Sequence, residues 1–252
     1  SDVCSSDLLL EIIPTPDTDP AVVAQVRYFA DHHLGKGVVL AKDSPAFIGN
    51  HIALYGMALI LQRVAAGEYT IEEVDAITGP ALGRPKSATF RTLDLAGLDI
   101  VAHVVRDLNK RLADPEARAV FALPAFVEQM LERGLTGEKA GGGFYKRVKS
   151  SGGESEILTL DPATFEYRPQ QKPRLGSLEA AQAVTDIRER VRTLYNGKDK
   201  AGQFLRDTLT PMLRYAQQVA GDVAYSKDDI DRVLRWGFGW ELGPFELADA
   251  IG

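Results

Sequence analysis

One stretch of nine residues occurs twice, and that repetition limits the fold more than any other feature of the chain. Tyr69-Thr70-Ile71-Glu72-Glu73-Val74-Asp75-Ala76-Ile77 lines up with Tyr225-Ser226-Lys227-Asp228-Asp229-Ile230-Asp231-Arg232-Val233. In each copy a hydroxyl residue, Thr70 or Ser226, stands three positions ahead of an acid, Glu73 or Asp229. That arrangement satisfies the free N–H groups at a helix start. Downstream, Thr92–Gly97 echoes Glu246–Gly252 with about a one-residue gap. Two segments recurring in the same order argue for two tandem copies of one helical module, at 43–149 and 150–252, the second cut short.

The residues ahead of the repeat have a different texture. Leu8–Ile13 is almost wholly apolar and ends at Pro14, which suits a buried strand. Asp17-Thr18-Asp19-Pro20 signals a helix start, and that helix is expected to reach about His33 before Gly35. Val38–Ala41 follows as a second strand. One strand–helix–strand unit cannot cover both faces of its own sheet, so residues 1–42 read as the remnant of a larger Rossmann-type domain. Ser1–Asp7 lacks the basic and apolar regions of a signal peptide and reads as a tail unrelated to the fold.

From Ser44 onward the spacing is helical and the expected class is mainly α. Ser44-Pro45 should open a helix that runs to Gly67. Further helices are expected at Ile71–Ile77, Leu93–Leu112, Pro124–Arg133, Leu178–Tyr195, Lys200–Ala220 with a bend near Pro211, and Lys227–Trp236. Ser150-Ser151-Gly152-Gly153 resembles a linker, and Glu156–Leu160 with Thr164–Tyr167 suits a small hairpin.

Charge and cysteine usage narrow the function. A net charge of −6 argues against a nucleic-acid partner. No apolar run has the eighteen or so residues of a membrane span. Cys4 stands alone and cannot close an internal disulfide, which favours a cytoplasmic chain.

Candidates for chemistry are few. There is no phosphate-binding P-loop, no paired-cysteine metal spacing and no H-E-x-x-H. The glycine clusters at 141–143 and 237–243 do not follow a strand and open a helix, so they make poor dinucleotide fingerprints. His32 and His33 suit a helix C-terminus, and His51 and His103 read as surface or hydrogen-bonded helix residues. Glu11 interrupts an apolar strand, where a carboxylate must be paired or functional unless it points to solvent. Asn50 is similarly out of place in an apolar helix, although such residues usually serve packing.

Three motifs carry a family resemblance. L-L-E-I-I-P-T-P-D-T-D-P, followed by L-G-K-G-V-V-L-A-K-D-S-P-A-F-I-G-N-H, resembles the 3-hydroxyacyl-CoA dehydrogenase family where its Rossmann-type and helical parts meet. G-E-K-A-G-G-G-F-Y-K resembles that family's closing segment, and R-W-G-F-G-W-E-L-G-P-F-E-L-A-D-A-I-G resembles its helical-domain signature a second time. The resemblance implies hydride transfer from C3 of an L-3-hydroxyacyl-CoA to NAD, giving the 3-oxoacyl-CoA in fatty-acid β-oxidation. It implies that Glu11 orients a catalytic histidine, that Asn50 helps to hold the reacting oxygen, and that Lys139 approaches the dinucleotide. A fused enoyl-CoA hydratase domain and self-association are further implied partners.

The sequence also departs from that family. The histidine motif H-F-F-N-P, the G-x-G-x-x-G loop and the ribose-binding acid are not found, and Gly83-Arg84-Pro85-Lys86-Ser87 replaces the usual G-P-F-E-L. The chain is therefore expected to be a fragment without turnover of its own. Two other readings stay open: a related 3-hydroxybutyryl-CoA or hydroxyacid dehydrogenase, and a non-catalytic helical association module.

Overall fold

The computed structural model describes residues 8–149 and 155–252. The linker expected at Ser150–Gly153 and the tail at Ser1–Asp7 lie outside these residues. Strands β1 (Leu9–Ile12) and β2 (Gly37–Leu40) pair in parallel, with Glu11 opposite Val39, and helix α1 (Pro20–His32) joins them. The Asp19 side chain caps α1 by accepting from the Ala21 N–H at 2.8 Å, as the Asp-Pro signal implied. One face of α1 leaves Val22, Val26 and Phe29 exposed.

The rest of the described chain is mostly helical. Helices α2 (Gly49–Ala65), α3 (Ile71–Thr78), α4 (Phe90–Ala96), α5 (Leu98–Arg111), α6 (Pro115–Val120) and α7 (Ala125–Glu132) precede a three-stranded antiparallel sheet. Its strands are β3 (Tyr145–Lys149), β4 (Ser155–Leu160) and β5 (Tyr167–Pro169). Then come α8 (Gly176–Gln182), α9 (Ile187–Tyr195), α10 (Lys200–Val223), α11 (Lys227–Phe238) and α12 (Pro244–Ile251).

Several boundaries differ from expectation for identifiable reasons. Helix α2 starts at Gly49 rather than at Ser44-Pro45, because Ala46 and Phe47 adopt left-handed backbone at φ 62° and 57° and the cap comes from elsewhere in the chain. The span Leu93–Leu112 is two helices, broken at Gly97 with φ 95°, where the Leu98 N–H donates to the Thr136 carbonyl. Leu178–Tyr195 also divides, since Asp186 caps a fresh helix by accepting from the Glu189 N–H at 2.9 Å. Helix α10 runs through Pro211 to Val223. The short α6 and α12 were not anticipated. Strand β3 was not either, so the sheet spans the division expected at 149/150, and β5 falls slightly later than the expected Thr164–Tyr167.

Aligned residues of the repeat do the same work. Thr70 and Glu73 form a reciprocal cap on α3, and Ser226 caps α11 by accepting from the Asp229 N–H at 3.1 Å. Asp75 reaches forward to the start of α4, accepting from the N–H groups of Thr89, Phe90 and Arg91 at 3.0, 2.7 and 3.2 Å. Asp231 reaches the start of α12, accepting from the Phe245 N–H at 2.8 Å. Asp94 adds a third such bridge, with its two oxygens on the N–H groups of Phe144 and Tyr145.

Burial pushes all three aspartates up to about 6 from an ordinary 3.8, against the pull of their backbone hydrogen bonds. The folded protein therefore keeps these protons to higher pH than the unfolded chain, and their contribution to stability falls as pH rises from about 4 to about 6. Asp231→Asn keeps an acceptor for Phe245 and removes that titration. Relative to the parent, it is expected to gain stability between about pH 4.5 and about pH 7, read from urea midpoints at each pH.

Helices α2 and α10 pack against each other. His51 Nδ1 faces the Pro45 carbonyl at 2.7 Å and must donate to it, so Nε2 accepts from the Tyr215 hydroxyl at 2.6 Å. The Tyr215 ring stacks on Tyr55 with centroids 3.8 Å apart. Burial holds the His51 pKa below its ordinary value, so the pair's stabilisation is present above about pH 6.5 and is lost as pH falls. Tyr215→Phe leaves Nε2 without a donor in a buried site. It is expected to cost about 1–2 kcal/mol in denaturant unfolding at neutral pH.

The segment at Gly83-Arg84 meets the connection between α11 and α12. The Gly83 carbonyl accepts from the Glu241 N–H at 2.7 Å, and the Arg84 guanidinium lies 4.0 Å from the Trp240 ring centroid. Burial alone lowers the Arg84 pKa to about 10. Where the sequence leaves the resembled pattern, the chain therefore contacts residues just ahead of α12.

Candidate active site

Glu11 sits on β1 facing the start of α2. Its Oε2 accepts from the Ile48 N–H at 2.9 Å and its Oε1 from the Gly49 N–H at 3.3 Å. A carboxylate there satisfies two unpaired helix donors and lies at the positive end of the helix dipole. Burial raises its pKa, and the two N–H groups oppose that rise only partly. The odd acid of the apolar strand is thus half-buried and partnered, and it replaces Ser44 as the cap of α2; the Ser44 hydroxyl is buried without a hydrogen-bond partner.

Asn50 follows Gly49 directly and is exposed in the first turn of α2, with no side-chain hydrogen bond among the described residues. The fold therefore brings Glu11 and Asn50 to one helix start. Exposed Phe47, with its left-handed backbone, lies on the approach to the same turn. Helix α11 closes the back of this site: a side chain at Gly49 would collide with Phe238 and approach Val233, and one at Gly37 would collide with the Trp236 ring.

Lys139 is elsewhere. It is exposed in a short 3-10 turn, Glu138–Ala140, and makes no hydrogen bond or ion pair with Glu11 or Asn50. Sequence reasoning missed the Asp75–Tyr145 pair, in which the Tyr145 hydroxyl donates to Asp75 Oδ2 at 2.8 Å. The repeat held the signal, because Asp75 and Asp231 are acids at matched positions near apolar residues.

Among the described residues no group of histidines, cysteines and carboxylates is placed to hold a metal ion. No described helix is long and apolar enough to cross a membrane. The four histidines are accounted for without Glu11. His51 is bonded to Pro45 and Tyr215, His103 is exposed on α5, and His32 and His33 end α1. The β1–α1 connection contains Pro14 and Pro16 but no glycine, so it offers no backbone cradle for a pyrophosphate.

Glu11 and Asn50 thus stand together at one helix start, between a parallel strand pair and a helical layer. The 3-hydroxybutyryl-CoA dehydrogenase of Escherichia coli shares this fold, with a TM-score of 0.68 over 97% of this chain and 61% of that one, at 19% identity. The family described as 3-hydroxyacyl-CoA dehydrogenase, C-terminal domain, matches residues 47–147 and 202–252. Two curated relatives carry the name "Probable 3-hydroxyacyl-CoA dehydrogenase". The Bacillus subtilis protein is 45% identical over 97% of this chain, and the Deinococcus radiodurans protein is 42% identical over 73% of it. The chain belongs to the 3-hydroxyacyl-CoA dehydrogenase family. It spans 30% of the length of the first of these relatives and 54% of the second.

Proposed function

We propose that these residues serve an NAD-dependent dehydrogenase that oxidises L-3-hydroxyacyl-CoA to 3-oxoacyl-CoA. The observation that carries this reading is the seat of Glu11. A carboxylate with a raised pKa is fixed by two helix N–H groups next to an exposed amide. In this reading Glu11 orients a histidine base and stabilises its charged form, and Asn50 offers its amide to the substrate oxygen. NAD accepts the hydride when bound. Because the β1–α1 connection has no phosphate cradle, the steps assigned to this chain stay on the acid–base side, and a role for Lys139 near the dinucleotide rests on the family motif alone.

The same reading takes residues 1–42 as part of a Rossmann-type domain, 43–149 as one helical copy and 150–252 as a linker, hairpin and second copy. The two stretches matched by the family and the shared roles of Asp75 and Asp231 support it. A cytoplasmic setting, a fused enoyl-CoA hydratase and an acyl-CoA substrate belong to the proposal as well. The association-module alternative draws on the exposed face of α1 and predicts normal turnover when Glu11 is changed. The deciding assay is NADH formation from a 3-hydroxyacyl-CoA by the dehydrogenase containing this segment, with Glu11 intact or replaced. Unchanged turnover on replacement would sink the proposal.

A further inference from the structure

A cavity of about 710 Å³ opens between the first helical copy and the three-stranded sheet, away from Glu11. Its size is that of pockets that enclose small ligands. The acids in its wall are already committed. Glu72 receives two guanidinium hydrogen bonds from Arg168, at 2.6 and 3.0 Å, and another from the Gln171 N–H. Asp75 accepts from three N–H groups and from Tyr145, and Glu138 pairs with Arg91 at 2.7 Å.

The cations are not committed to the same degree. Lys86, Arg147 and Lys172 line the cavity, and among the described residues none has a carboxylate within 4.0 Å or a side-chain hydrogen bond. In a chain of net charge −6, three cations around one opening with no ionic partner among the described residues are a local excess of the opposite sign. Such an excess attracts anions and is relieved by binding one. Ile157, 42% exposed on β4, and half-buried Pro173 add an apolar wall, with Gln170 and Gln171 supplying side-chain amides beside it.

We propose that this cavity binds a phosphate-bearing nucleotide. Its phosphates are held by Lys86, Arg147 and Lys172, its base lies against Ile157 and Pro173, and the glutamine amides meet the polar edge of the base. The site is separate from Glu11 and Asn50, although its lining residues Glu138 and Gly141 flank Lys139, so failure of ADP binding leaves the acid–base reading of Glu11 standing.

Calorimetric titration of the purified chain with ADP tests this, with adenosine and inorganic phosphate as separate probes. ADP is expected to bind more tightly than either probe and to weaken as salt is added, because exposed ion pairs are screened. The triple variant Lys86→Ala, Arg147→Ala, Lys172→Ala is expected to lose about tenfold or more in ADP affinity, since it removes three charge-assisted contacts. All three side chains are exposed, and an unchanged circular-dichroism melt will show that the variant keeps its fold. The proposal is overturned if ADP gives no binding heat, if the triple variant binds it equally well, or if phosphate alone binds as tightly as ADP.

Discussion

Under the proposed function, Glu11→Gln is expected to lower dehydrogenase turnover by about 100-fold or more, the scale of a lost acid–base partner. The substitution keeps size and one acceptor oxygen but removes the charge that would stabilise a protonated histidine. The cap on α2 weakens too, because the new amide nitrogen must face the Ile48 or the Gly49 N–H. That structural cost is about 1 kcal/mol, the usual range for a lost helix cap. A purely structural role would lower the denaturation midpoint and leave the rate of the folded enzyme and its pH profile unchanged. A catalytic-positioning role moves the pH dependence of kcat while KM for the thioester changes little. Measuring kcat against pH alongside a urea midpoint separates the two.

Asp75→Ala is expected to cost about 3 kcal/mol of stability, from several unmet donors in one place. The lost carboxylate serves Thr89, Phe90 and Arg91 at the start of α4 and the Tyr145 hydroxyl on β3. One residue therefore ties α3, α4 and the sheet together. The alanine variant also escapes the cost of burying a carboxylate, which keeps the loss below the sum of four separate bonds. Tyr145→Phe removes only one of these bonds and is expected to cost about 1 kcal/mol. Equal urea midpoints for Asp75→Ala and Tyr145→Phe would show that the helix-start bonds contribute little.

Much of the architecture was legible because it is local. The caps at Asp19, Thr70 and Ser226 and the strand–helix–strand opening are all written within a few residues. What escaped sequence reading depends on partners far along the chain. Helix α2 begins at Gly49 because Glu11, 38 positions earlier, accepts from that residue's N–H. The apolar pattern over Leu93–Leu112 gives no hint that Gly97 breaks it, and that break is fixed by a bond to Thr136. Strand β3 is largely exposed and charged, so its pattern says little until β4 pairs with it. In the candidate site, Glu11 and Asn50 stood out as polar residues in apolar settings. Asp75 looked like an ordinary helix acid.

The opening strand–helix–strand unit docks on elements from the far end of the chain. The Lys42 N–H donates to the Val223 carbonyl, Ala41 bridges to Ala224, and Lys42 Nζ reaches the Gly221 carbonyl, 179 residues away in sequence. Contacts this distant form late, since closing so long a loop costs entropy before any contact repays it. During synthesis on the ribosome, β1 and β2 are made well before α10 and α11, so the seam between them closes only once α11 has emerged.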